Sequence, residues 1–318
     1  MAGKLRTAVA ATAASAALAF ITSAALADVT LQQKISVEGQ GLMSAGNLSG
    51  TTRTTISGDR SRTDSDIQLQ SRLMRLFAHR AVGPTAEIVR LDAGTIDRLD
   101  LSRKQYTQTT FAQMRSRLQK TLDKTSGGRG AGGEPMDDSR CTWLEPKVDV
   151  RRPGETATYA GFEAEHLTIV ASQPCKDKET GAICTATLSL DEWLTAKFAS
   201  SAEADRFHRA YAQQIGLDPA SAAHGGYDGD ITQRARSMLG RYAGIWSEVT
   251  GKTQEAQGYP VKMSFAFSYG GEQCKSAHHG PQPLLTLSSE LVSVSTDNVS
   301  PELFEVPADF RKVDRQGD

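Results

Sequence analysis

The chain has 318 residues, sets 36 Lys and Arg against 37 Asp and Glu, and is 39% hydrophobic but only 6% aromatic. The near-neutral balance excludes a protein that grips nucleic acid through a broad basic face, and the low aromatic content argues against a large aromatic-lined pocket. The length suffices for one large β-rich domain or two small ones.

Residues 1–27 read as an export signal. A basic head with Lys4 and Arg6 precedes an uncharged, alanine-rich run from Thr7 to Leu26, and Ala25 and Ala27 set small residues where a signal peptidase reads them, so cleavage is expected after Ala27. Retention as an anchor is the rival reading, but alanine contributes little transfer energy to a membrane span. No cysteine at the cleavage site marks a lipid anchor, and no Arg-Arg pair replaces the general export route. Loss of the signal takes the net charge from −1 to about −3 and leaves a periplasmic or secreted protein.

After the signal, Val29, Leu31, Ile35 and Val37 alternate with polar residues, which gives a strand with one apolar face that Gln33 interrupts. Residues 48–57 form a second strand. Arg72, Arg75, His79 and Arg80 make a local basic stretch, read as a solvated face in preference to a phosphate or lipid-headgroup site. Residues 86–101 return to strand, and a helix is predicted near Ala112–Lys124. The Gly-rich run within 126–138 is a flexible loop.

Along Phe162–Ile169 the apolar phase slips by one, which predicts a bulge. Ala186, Leu188 and Leu190 alternate cleanly. Ser200 and Glu203 have the spacing of a capping box, followed by Phe207, Ala210 and Tyr211 at helical intervals. After a loop from Leu217 to Gly226, a helical stripe runs from Ile231 through Trp246 to Val249 and ends at Gly251. Val261, Met263, Phe265, Phe267 and Tyr269 give the clearest alternation, and residues 284–294 the last strand. Many antiparallel-type strands with short polar turns predict a barrel or a strongly curved sheet, with the helices laid across it.

Four cysteines, Cys141, Cys175, Cys184 and Cys274, suit two disulfides in an exported protein, with three possible connectivities. Cys175 and Cys184 bracket a polar hairpin loop, so that pairing is favoured, leaving Cys141 for Cys274. The cysteine spacing does not match a zinc site.

The succession of Gly58-Asp-Arg60-Ser-Arg62, the stretch from Thr95 to Tyr106, Tyr159-Ala-Gly161-Phe162-Glu163, Asp191-Glu-Trp193-Leu194, Gly258-Tyr-Pro260-Val-Lys262-Met263 and the ending Phe304 to Phe310 resembles a secreted bacterial domain-of-unknown-function family. That family is related to the LolA-like outer-membrane lipoprotein carriers. The resemblance implies an α+β, mostly antiparallel β fold, an unclosed half β-barrel with covering helices, over a single domain at 28–313 and a disordered tail at 314–318. In the carriers the cavity receives acyl chains. This chain departs from them in a longer helical insertion, about 195–250, and in the Gly-rich loop.

A curved sheet has an apolar inner face that side chains, helices or a ligand must fill. The candidate groove residues are Leu188, Leu190, Trp246, Val261, Met263, Phe265 and Phe267, each of which also reads as ordinary core. The motifs of serine hydrolases, zinc proteases and phosphate-binding loops do not occur. Ser44 lacks the glycine spacing of a nucleophile elbow. His278 with His279, and His224 with Asp228 and Asp230, read as solvated loop residues, and His166 near Glu163 and Glu165 as an exposed strand residue. Asn47 and Asn298 head glycosylation-type sequons that a bacterial-type exporter does not use. The expectation is a non-catalytic binding protein without metal or cofactor, carrying a lipid, lipoprotein or other apolar ligand. The alternative is a filled scaffold that contacts envelope proteins.

Overall fold

A computed structural model of the chain describes residues 28–40, 44, 46–71, 83–126, 141–196, 198–217, 219, 249, 252, 258–271 and 283–314. The expected export signal, the basic stretch from Arg72 to Arg80, most of the Gly-rich loop and the segment from Ile231 to Trp246 that was expected to be helical lie outside these residues.

The described chain is mostly antiparallel β. Its strands are β1 (Val29–Gly39), β2 (Leu48–Ser57), β3 (Arg60–Leu69), β4 (Thr85–Arg90), β5 (Thr95–Asp100), β6 (Gln105–Thr110), β7 (Cys141–Trp143), β8 (Lys147–Arg151), β9 (Thr156–Tyr159), β10 (Phe162–Asp177), β11 (Ile183–Thr195), β12 (Tyr259–Gly270), β13 (Leu285–Ser295) and β14 (Arg311–Lys312). Helix α1 spans Phe111–Ser126 and helix α2 spans Ala199–Ile215. All strands join one large sheet in the order β14-β6-β5-β4-β3-β2-β1-β13-β12-β11-β10-β7, with β8 and β9 also paired to β10. The two ends of that path are not bonded to one another, so the sheet is unclosed. The short β14–β6 contact is parallel and the other pairings are antiparallel.

The alternating segments became the central strands, because a period of two buries one set of side chains whatever the partner. The segment 86–101 divides into β4 and β5 at a turn where Gly94 takes φ 65°, a left-handed conformation that suits glycine. Strand β3 has almost no apolar alternation. It is held by ten register pairs to β2 and by hydroxyl contacts such as Thr54 Oγ1 to Thr63 Oγ1 at 3.0 Å, so its signal is absent from a hydropathy pattern.

The expected bulge in Phe162–Ile169 is not a break in the β10–β11 ladder, which runs in constant register from Glu165 opposite Leu194 to Lys176 opposite Ile183. The phase slips where β10 changes its edge partner, from β9 up to Glu165 to β8 from Thr168. Register shifts occur instead at Gln32/Gln33 on β1 and at Trp193/Leu194 on β11.

The favoured disulfide also needs correction. Cys175 and Cys184 do face each other across the β10–β11 hairpin, yet Cys175 bonds to Cys141 on β7, with Cα atoms 5.6 Å apart. Strand β7 docks on the other flank of β10, a neighbour that sequence separation does not reveal. Cys184 is likewise disulfide-bonded, and Cys274 lies outside the described residues.

Helix α1 starts with a reciprocal cap. The Gln113 N–H donates to Thr110 Oγ1 at 3.2 Å, and the Thr110 N–H donates to Gln113 Oε1 at 2.9 Å. Helix α2 does not use the Ser200–Glu203 box. Phe198 is its N-cap, the Ser201 hydroxyl donates to the Phe198 carbonyl at 2.8 Å, and Glu203 pairs with Arg206 at 2.7 Å. Arg206 Nη2 also donates to the Gly58 carbonyl at 2.7 Å, which fastens α2 to the β2–β3 turn.

Among the described residues the core has three clusters. One joins Leu167, Ile169, Leu188, Leu190, Met263, Phe265, Phe267, Leu285 and Leu287 with Val249. A second, on the same face, packs Leu31, Ile56, Ile96, Val261 and Leu291 under Phe111 of α1 and Phe207 of α2. The third lies on the opposite face of β4 and β5, where Ile88 and Leu99 are covered by Phe304 from a short 3-10 helix, Pro301–Phe304.

Candidate functional site

The helix-bearing face of β10–β13 is the candidate site. Register sets Leu188 opposite Phe267, Leu190 opposite Phe265 and Glu192 opposite Met263, so alternate residues of β11 and β12 form one surface. The structure thus brings together Leu188, Leu190, Met263, Phe265 and Phe267, and Val261 continues the line on β12 into the second cluster. These six side chains are 1–7% exposed. Trp246 lies outside the described residues, whereas Val249 packs into the same cluster.

One residue on this face is not apolar. Glu192 follows Leu188 and Leu190 in phase and is 1% exposed, flanked across the sheet by Leu167 on β10 and Met263 on β12. Among the described residues, neither carboxyl oxygen has a hydrogen-bond partner. Burial pushes its carboxyl up from the ordinary 4.5 to about 7. Buried polar groups in folded proteins are almost always paired, so this one calls for a reason. Hydropathy patterning missed it because the run was followed only to Leu190. The available signal was a carboxylate at the next inward position of an otherwise apolar series. Gln33, the polar interruption on β1, is also buried, its Oε1 without a hydrogen-bond partner among the described residues.

His166 is not the exposed residue expected. Its side chain is 17% exposed, with Nδ1 3.0 Å from Glu155 Oε2 and Nε2 3.4 Å from Asp191 Oδ1. Glu163 and Glu165 do not contribute these contacts. Thr168 donates its hydroxyl to Asp191 Oδ1 at 2.9 Å, and the imidazole lies on the Trp193 indole. The cluster ties the β8–β9 connection to the sheet, since the His166 N–H also donates to the Glu155 carbonyl at 3.0 Å.

Away from these residues, a polar cleft of about 280 Å³ opens beside β2 and β3, lined by Ser49, Thr51, Asp66 and Gln68 among others. Among the described residues there is no group of three or more His, Cys, Asp or Glu placed to hold a metal, and no helix long and apolar enough to cross a membrane. His224, Asp228, Asp230, His278 and His279 lie outside them. No known family model matches the chain, and no curated protein matches its sequence.

Proposed function

We propose that this is an exported, non-catalytic binding module that holds an apolar molecule against the helix-bearing face of a half-barrel, on the plan of the LolA-like carriers. The observation that carries the reading is the continuous apolar surface of Leu188, Leu190, Met263, Phe265, Phe267, Leu285 and Leu287 across three neighbouring strands. A chain laid on such a surface gains about 0.8 kcal/mol for each methylene taken from water. The Cys141–Cys175 bond suits an oxidising compartment, in keeping with the export signal. Native mass spectrometry and solvent extraction of protein purified from the periplasm test the reading. A recovered apolar compound supports it, and repeated recovery of nothing overturns it.

A second reading has its own observation. The six described groove residues are at most 7% exposed, and Val249 of the same chain packs among them, as a permanently filled scaffold would have it. That reading expects envelope proteins to co-purify and no small molecule to be extracted.

A further inference from the structure

A sheet that does not close has two end strands, and each needs protection from pairing with another chain. At one end β10 is flanked by β7, β8 and β9, pieces of three, five and four residues. The Cys141–Cys175 bond tethers β7, and β8 alternates Lys147, Asp149 and Arg151. Short strands and charged side chains are the usual protections of an edge. At the other end β6 has neither. Its six residues, Gln105-Tyr106-Thr107-Gln108-Thr109-Thr110, carry no charge and no proline, and include the β-branched and aromatic types that favour strand pairing.

What lies on this edge is the C-terminal segment of the same chain. The Arg311 and Val313 N–H groups donate to the Lys104 and Tyr106 carbonyls, both at 2.9 Å, and β14 adds only two register pairs. The apolar hold of the segment centres on Phe304, which is 2% exposed against Ile88 and Leu99. Its ion pairs, Lys104–Asp309 and Arg90–Glu305, both at 2.7 Å, join side chains that reach solvent and so contribute little.

We infer that residues 299–313 are an edge guard, and that β6 beneath them is a latent self-association surface whose partner is β6 of a second copy of this chain. Two β6 strands pair antiparallel about a twofold axis, so each meets the same uncharged sequence and no like charges oppose one another. The main chain of Lys104 and Tyr106 points to the guard, and by alternation that of Gln108 does too, which leaves the odd-numbered residues to the β5 ladder. The edge therefore takes a second strand without losing a bond to β5. Withdrawal of Phe304 also uncovers Ile88 and Leu99 beside the edge, which adds apolar area to the contact. Such pairing involves no ligand and is independent of the binding reading above.

Sedimentation velocity and amide hydrogen exchange on the full protein test this. Phe304→Asp frees the guard, and Gln108→Pro, added to it, removes an edge donor while sparing the β5 ladder. The wild type is expected to sediment as a monomer with the Arg311 and Val313 amides protected. Phe304→Asp should lose that protection and sediment at twice the mass as concentration rises, and the double variant should return to monomer. A freed guard with no change of mass overturns the proposal, as does a dimer that the proline leaves intact. A guard still protected in Phe304→Asp overturns the anchoring role of Phe304, and a wild-type dimer with its guard in place overturns the guarding role. Melting curves establish that the variants fold; should Phe304→Asp not fold, Phe304→Ala decides.

Discussion

The imidazole of His166 lies flat on the indole of Trp193, ring centroids 4.6 Å apart and planes 6° from parallel. The two residues face each other in the β10–β11 ladder, one position along from Leu167 and Glu192 and therefore on the opposite side of the sheet. Trp193 also meets Tyr159 at 5.5 Å, whose ring carries Lys262 Nζ 4.9 Å above it. This stack joins β9, β10, β11 and β12, and Tyr159 and Trp193 also pack against the second core cluster. Trp193→Ala is expected to lower stability by about 2–3 kcal/mol, less than a fully buried tryptophan because the ring is half-buried. Urea denaturation measures it, and a change under 0.5 kcal/mol would show the stack to be incidental.

Cys141 and Cys175 close a segment with a sequence separation of 34, so chain entropy assigns their bond about 4 kcal/mol. Peptide mapping without reduction should yield a fragment joining Cys141 to Cys175. A fragment joining Cys175 to Cys184 would refute the arrangement of β7 beside β10. Cys141→Ser is expected to lower the urea midpoint and to leave Cys175 reactive to a thiol reagent.

The raised carboxyl of Glu192 gives stability a definite dependence on pH. Below the unfolded value of 4.5 both states are protonated and the residue carries no charge penalty. Between 4.5 and about 7 the unfolded chain ionises while the folded one keeps its proton, so stability falls as pH rises and levels off above about 7. The loss across that window is about 3 kcal/mol. Glu192→Gln should flatten the difference in unfolding free energy between pH 5 and pH 8. A wild type and variant with parallel pH profiles would mean that the carboxyl is solvated.

Gly50 on β2 faces Ile67 on β3, where the backbones approach so closely that a Cβ would fall on the Asp66 carbonyl oxygen and 2.7 Å from the Ile67 Cα. Both obstacles are main chain and neither has a rotamer to yield. Gly50→Ala is expected to cost at least about 3 kcal/mol, measured as the loss of the thermal transition or a fall in its midpoint. Gly58, which has open space around its Cβ position but φ 55°, should tolerate asparagine at a cost of about 1 kcal/mol.

The strands were legible wherever inward positions are apolar. The reading of 48–57 coincides with β2, and 284–294 with β13 to within one residue at each end. Strands β3, β6 and β8 were not legible, because Arg60–Leu69, Gln105–Thr110 and Lys147–Arg151 pair through main chain and hydroxyls with few apolar side chains to mark the phase. Five described candidates of the groove do form one cluster, since alternation fixes which residues share a face once a strand forms. The carboxylate among them passed unnoticed because its meaning depends on what lies beside it.

An expected export signal, the period-two segments, a helix near Ala112–Lys124 and another opening at Ser200 were readable from local order, and the structure sets the two helices at Phe111–Ser126 and Ala199–Ile215. Long-range packing settled that β1 joins β2 to β13, that Cys175 turns to β7 and away from Cys184, and that Glu192 faces Leu167 and Met263. The physical reason is common to all three: a strand carries two open edges and two faces, and local side-chain chemistry does not select which distant segment occupies each.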